Sequence, residues 1–453
     1  MRSTRISLLV LTVLALVVGA CAARTGSSSA PGGGSASAPA TTAAPTSEAT
    51  GVTASALPPA SPDAWLAVGR KGVDGLEVIL ASTREHMLNL PAGVPTGNDW
   101  GRIFTATSND GKTTVRDVAI ESEPGGPKVV IDGSWRLPTI GPDPVPVGLS
   151  LDGSTLVLME ADRPTGAAAG ATTRFAVLHT VPLEGPARIL TLEGRFDYDA
   201  LSPNGSTLFV VEHLDSDTGG RYQVRAVDVA SGALDEAVIA DKRNVDEQMA
   251  GYPLAQVRRG DGLVMTLYQG LEHPFIHALN SIDRWAVCID LPTSGSDDAS
   301  AATDWGLAPA PDGSSVYAVN ATLGLVAEVD PAQPGLRRSV RVKPLASAGI
   351  VLAKFAHQAS GPAGRRVVVG PDGKTIYAAG AGGIIALDAS TLKAARTYAA
   401  GSAVDALAVT PDGGTLYALR HDGHIVKLDA ATGALLGTVP GEGFDRLVAV
   451  VPW

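Results

Sequence analysis

Along residues 61–453 the hydrophobic positions fall in short runs that alternate with polar ones, the period of half-buried strands, and each run ends in turn residues. One phrase recurs. Ser150–Glu160 reads SLDGSTLVLME, Ser202–Glu212 SPNGSTLFVVE, Ala310–Asn320 APDGSSVYAVN, Gly370–Gly380 GPDGKTIYAAG and Thr410–Arg420 TPDGGTLYALR. Its chemistry is that of a turn leading into a strand. Pro presets φ, Asp or Asn bonds its own backbone two residues on, and Gly takes the positive φ that closes a hairpin. Weaker copies lie at Asn109-Asp110-Gly111 and Gly260-Asp261-Gly262. Behind most copies a second strand closes on Asp and a small-residue turn, as at Val227-Asp228, Leu387-Asp388 and Leu428-Asp429, and a third short strand follows.

From position 110 to 412 the Asp or Asn of successive copies are 42, 52, 57, 51, 60 and 40 residues apart. Strand, anchor turn, strand, hairpin and two more strands make one four-stranded antiparallel blade, and tandem blades predict an all-β chain folded as a β-propeller. The repeat resembles that of YVTN-type propellers, the broad group of bacterial surface-layer and 6-phosphogluconolactonase-like propellers, over nearly all of residues 61–453. That resemblance implies the fold and says little about function, because the shared residues are structural. Ring closure is also predicted. Phe444–Val451 reads as an inner strand without downstream partners, while Ala64–Val68, Leu76–Ala81 and Met87–Leu90 lack an inner strand. Joined, they form a blade shared by the N- and C-terminal strands and remove a free edge. With seven anchors the count is eight blades; seven, the commoner number, is the alternative, since the first two sets are the least regular.

The N-terminus carries Arg2 and Arg5 and then an apolar stretch from Ile6 to Ala20, too short to span a bilayer and shaped like a secretory signal. It ends in Val18-Gly19-Ala20-Cys21, which resembles the lipobox of bacterial lipoproteins. The resemblance implies a signal peptide over 1–20 and a diacylated Cys21, of the palmitate-bearing kind, giving the two-chain anchoring that is stable. Residues 22–60 hold only Arg24 and Glu48 as charges, and only Val52 and Leu57 as apolar residues larger than Ala apart from Pro. Such a segment buries too little to offset its ordering entropy. The division is therefore 1–20 signal, 21–60 lipidated Cys and disordered Ala/Ser/Gly/Thr/Pro tether, and 61–453 propeller, with a tether reach of roughly 30–40 Å. The expected address is extracytoplasmic, on the cell membrane.

Composition narrows the partners. A net charge of −11, from 46 acidic against 35 basic residues, disfavours nucleic acid, whose phosphates need a basic face. Two Cys exclude a disulfide framework and any four-Cys metal site. The second, Cys288, alternates with apolar neighbours and reads as a buried strand residue. No Gly-x-Ser-x-Gly elbow, His-Glu-x-x-His helix, phosphate loop or dinucleotide fingerprint occurs, so no catalytic residue is assigned. Six scattered Trp do not form the outer-strand docking repeats of quinone-holding propellers.

Two places remain as candidate sites. Inner strands open with an acid unusually often: Asp199, Asp405 and Asp445 in Asp-x-Leu, with Asp304-Trp305 offset by one. Carboxylates converging at one mouth of the axial channel would attract a cation, calcium above all; the alternative is that they cap turns or pair with arginines. The fifth blade is irregular, and Glu272, His273, His277, Arg284 and Trp285 could line a pocket there. His273 and His277 lie on an extended run, where four residues span roughly 13 Å, too far for one ion. The expected function is a binding or scaffold module, acting as a monomer, for a protein, glycan or small ligand. A lactonase-like or other hydrolase with an axial active site is the rival reading, and a structural cell-envelope protein a third.

Overall fold

The computed structural model describes residues 63–451, save 74, 92, 98–99, 120–125, 142–144, 162–170, 215–219, 242–248, 294–302, 346–363 and 400. The expected signal peptide, the expected lipidated Cys21 and the expected tether lie outside the described residues. Among the described residues thirty-two strands run from β1 (Trp65–Arg70) to β32 (Phe444–Val451). They form seven hydrogen-bonded sheets, all antiparallel, six of four strands and one of eight. The chain is a β-propeller.

The eight-stranded sheet is two four-stranded blades joined by the pairs Arg221 with Ala250 and Tyr222 with Met249, with a parallel bridge from Asp241 to Ala286 beside them. Counted by hydrogen bonding, the ring has seven members; counted by four-stranded units, it has eight. Packing follows the second count. Eight buried apolar clusters each join one blade to the next, from the junction of blades 1 and 2 round to that of blades 8 and 1. Blade 1 is the closure. There β32 pairs along β1, Trp65 opposite Val451 and Ala67 opposite Ala449, with β2 (Leu76–Leu80) and β3 (His86–Leu90) outside them. Both chain ends thus seal one sheet, and neither leaves an inner edge open.

The inner strands of blades 2 to 8 are β4 (Gly93–Pro95), β8 (Trp135–Arg136), β12 (Phe196–Leu201), β16 (Met249–Arg258), β20 (Gly306–Pro309), β24 (Val367–Val369) and β28 (Val404–Val409). Five of the anchor turns are near copies. The Asp or Asn carbonyl or carboxylate oxygen accepts the backbone N–H two residues on at 2.9–3.2 Å. The glycine of each takes φ of 69–72°. They lie where inner strands end, at what we call the rear mouth of the channel; inner strands begin at the front mouth. The copy at Asp110-Gly111 is different. It closes the hairpin between β5 (Arg102–Asn109) and β6 (Lys112–Ala119), one hairpin later than an anchor turn. Among the described residues no helix is long and apolar enough to cross a membrane.

Candidate functional site: the axial channel and its front mouth

The Asp-x-Leu signature is a β-bulge signature. In β12 the register passes from Tyr198 opposite Val210 to Ala200 opposite Phe209, leaving Asp199 as the extra residue. Asp405 is skipped in the same way in β28, and Asp445 in β32. Blade 5 makes the same bulge with Leu254. A bulge re-aims one side chain out of the alternation, so an acid placed there is turned toward the channel or toward a neighbour.

The channel holds a cavity of about 1960 Å³. Its lining comes from the inner strands of blades 1, 2, 5, 6, 7 and 8 and from the Val145–Leu151 segment of blade 3, while no residue of β12 contributes. Blades 3 and 5 meet in front of blade 4. Arg258 Nη1 donates to the Leu149 carbonyl at 2.6 Å. Gly141, at φ +54°, lies so close to blade 5 that a Cβ on it would sit 2.1 Å from the Pro253 oxygen. Asp199 is therefore sealed away from the channel, 1% exposed, and does not share a site with Asp405 and Asp445. The grouping expected from sequence keeps Asp304, Asp405 and Asp445 at the front mouth and loses Asp199. Trp305 touches the cavity, but at 3% exposure it belongs to the core between blades 5 and 6.

The lining of the mouth is predominantly basic. Seven Lys or Arg side chains line the cavity against four carboxylates, a local excess of positive charge in a chain whose net charge is −11. Each carboxylate has its own basic partner: Asp304 with Arg366 at 3.4 Å, Asp405 with His421 at 2.9 Å, Asp422 with Arg420 at 2.5 Å and Asp445 with Arg446 at 3.1 Å. Arg70 pairs with Glu77 at 3.1 Å. Among the described residues no group of three or more His, Cys, Asp or Glu is placed to hold a metal. The acids expected to converge on calcium are each placed against an arginine or a histidine instead. Lys71, Arg365, Arg366 and Arg420 are lining residues that the sequence did not single out; nothing local marks them.

A strap crosses this mouth just before β24. Gly364 pairs in parallel with Leu447 of blade 1, the Arg365 carbonyl accepts the Leu407 N–H of blade 8, and the Arg366 carbonyl accepts the Ala379 N–H of blade 7, both at 2.8 Å. The Arg366 guanidinium then reaches Asp304 beside blade 6. Only glycine fits at 364: φ is +134°, and a Cβ would lie 2.0 Å from the Leu447 oxygen. Three consecutive residues thus tie four blades, and they fix the backbone that carries Arg365.

The irregular-blade pocket does not form. Glu272 and His273 precede β18 (Pro274–Asn280), and Arg284 and Trp285 follow it, so the strand's seven residues hold the two pairs roughly 23 Å apart. His273 bonds Asp290 at 2.9 Å, Arg284 reaches Asp235 and Thr207, and Trp285 packs against the core between blades 5 and 6. His277 sits mid-strand with no exposed surface. It belongs to a polar row crossing blade 5, with Gln256 opposite Thr266, Thr266 opposite His277 and His277 opposite Cys288.

That row faces blade 4 and makes an unusual buried seam. Gln256 donates to the Asp199 carbonyl at 3.0 Å and to Thr266 at 2.9 Å; Cys288 Sγ lies 3.8 Å from His277 Nδ1; the Cys288 N–H donates to Asp241 at 2.7 Å. The Tyr222 and Tyr268 rings stack at 5.2 Å beside them. Asp199 Oδ2, Gln256 Oε1, His277 Nε2 and the Tyr222 hydroxyl are buried with no hydrogen-bond partner among the described residues. Burial pushes the Asp199 carboxyl up to about 7. It pushes the His277 imidazole down to about 4, with the Asp241 carboxylate opposing. Cys288 is half-buried on the outer strand of the blade, so the expected buried thiol is instead a partly covered one.

No protein-family model matches the chain, and no curated protein does. Solved structures do. Apo AztD from Citrobacter koseri aligns at 13% identity and TM-score 0.51, covering 85% of this chain and 97% of its own. A second Citrobacter koseri AztD structure gives 13%, 0.50 and the same coverage. The dihydro-heme d1 dehydrogenase NirN in complex with DHE gives 14% identity and TM-score 0.48, over 84% of this chain and 74% of its own. At such identities the likeness to AztD is one of fold alone.

Proposed function

We propose that the protein is a lipid-tethered extracytoplasmic binding propeller that takes a ligand into the front mouth of its axial channel. Cys21 carries the anchor, residues 22–60 stand the head off the membrane, and residues 61–453 present the channel. One observation carries the binding half of this reading. The channel is a cavity of about 1960 Å³, larger than an ordinary small-molecule pocket, and it opens onto charged side chains held by a rigid strap. The hydrolase reading has less support. Asp199 and His277, the carboxyl and the imidazole held furthest from their ordinary ionisation, lie in the seam between blades 4 and 5 and not in the channel. A monomer that binds no nucleic acid fits the acidic composition and the closed ring, which offers no inner edge to a second copy.

Two measurements test the reading. Metabolic labelling with a palmitate analogue should mark the wild-type chain and not Cys21→Ala, and the variant should leave the membrane fraction; equal labelling of both refutes the anchor. Native mass spectrometry of the full chain, released gently from its membrane, should show a bound mass that Ala403→Trp, placed to narrow the front mouth, removes. A bound mass that survives the bulky substitution places the ligand elsewhere and refutes the channel.

A further inference from the structure

We infer that the ligand of the front mouth is a small multivalent oxyanion, a polycarboxylate or a phosphate ester, held between Lys71 and Arg365. The inference rests on the binding reading above and adds the chemical class. Once every carboxylate of the lining is matched with its own basic partner and Arg70 with Glu77, two front-mouth cations are left over. Both are exposed, and among the described residues neither side chain makes a hydrogen bond or ion pair. Exposed cations are ordinary on a protein surface, where water satisfies them. These two differ in being placed along one strand at the wall of a cavity. The Lys71 N–H donates to the Gly443 carbonyl at 3.3 Å, and Gly364, next to Arg365, pairs with Leu447.

Gly443 and Leu447 are four steps apart along blade 1's inner strand, roughly 13 Å of backbone at the strand rise. Long side chains from the two ends can close part of that gap, so the arrangement suits an anion whose charges are several ångströms apart better than a single point charge. Arg365 brings the planar fork that meets carboxylate or phosphate with two parallel hydrogen bonds, and Lys71 brings a flexible point charge. The acidic remainder of the chain does not oppose this strongly, because charges more than about 8–10 Å away through water are screened at physiological salt. A cation is disfavoured by the same excess, and an uncharged ligand would leave both side chains without a role. The strap matters here as preorganisation: the backbone of Arg365 is already fixed, so less ordering entropy is lost on binding.

The test is titration calorimetry on the full chain with citrate, pyrophosphate and, as an uncharged control, sucrose, at 50 mM and 500 mM salt. The expected result is binding of at least one oxyanion, weakened about tenfold by each of Arg365→Ala and Lys71→Ala and by the higher salt. Lys374→Ala removes the same charge at a rear-mouth turn and should leave binding unchanged. Citrate binding alone identifies a carboxylate ligand, and pyrophosphate binding alone a phosphate ligand. The inference is overturned if neither oxyanion binds, if Lys374→Ala weakens binding as much as Arg365→Ala does, or if sucrose binds as tightly. The failures are separable. A bound mass that Ala403→Trp removes, together with no oxyanion binding, leaves the channel reading standing and removes only the anion.

Discussion

Asp199 is a carboxyl group that the fold would rather keep protonated. Its ordinary value of 3.8 is pushed up to about 7 by burial. A raised value means that the folded state holds the proton more tightly than the unfolded one. The contribution to stability is therefore complete below pH 3.8 and is lost as pH rises toward 7, on the order of 4 kcal/mol in all at 1.36 kcal/mol per unit. Asp199→Asn removes this dependence. The new amide brings its own packing and hydrogen-bond costs, but those do not change with pH, so the difference between variant and wild type isolates the ionisation. Between pH 4.5 and 7 that difference should move in the variant's favour by about 3 kcal/mol, which is about 4 °C in melting temperature for a domain of this size. His277 runs the other way. Its value is lowered from 6.5 to about 4, so its contribution is complete above pH 6.5 and is lost as pH falls toward 4. In the wild type the two slopes oppose one another between pH 4 and 6.5, and the Asn variant should expose the His277 slope. Thermal melts of both proteins in matched buffers at half-unit steps provide the assay. A variant-minus-wild-type difference that stays constant from pH 4.5 to 8 would refute the claim that burial, unrelieved by any donor, sets the state of Asp199.

Two further outcomes test the ring and the strap. Gly364→Ala forces a Cβ against the Leu447 carbonyl in a backbone region that alanine resists, so melting should drop by several degrees and oxyanion binding should weaken with it; an unchanged melt removes the strap's structural role. Truncation after Gly443 deletes β32, strips blade 1 of its inner strand and leaves β1 as a free edge; we expect aggregation on size-exclusion chromatography, and a monomer with a native melt would mean that the closure contributes little.

The fold was legible because its determinants are local. Five turns separated by tens of residues put the same Gly at φ of 69–72° and bond the same side-chain oxygen to the same N–H, so a short phrase is enough to recognise each. The same locality explains the one misplaced anchor. Asp110-Gly111 has the positive φ values of a two-residue hairpin, and turn chemistry carries no label for which of a blade's hairpins it closes. Blade 2 nevertheless exists, through β4 and its partners.

The site was legible only in part, because its determinants are long-range. That inner strands open on an acid is a local fact, and three of the acids are indeed bulge residues. Whether a bulged acid faces water is decided by other blades. Asp405 and Asp445 reach the channel, whereas Asp199, in the same local position, is closed off by a contact between Arg258 and Leu149, residues 109 apart in sequence that bracket the blade in question. The sign of the mouth is set in the same way. Four acids counted alone suggest a cation; the arginines that cancel Asp304, Asp422 and Asp445, and the histidine beside Asp405, are known only once the blades stand next to one another. In a propeller each blade supplies one or two charges to a shared opening, so its ligand preference is a property of the ring sum. For this ring the remainder is Lys71 and Arg365, on neighbouring segments tied to a single strand. An acidic protein can therefore present a basic mouth, and the chain's net charge says nothing about what that mouth receives.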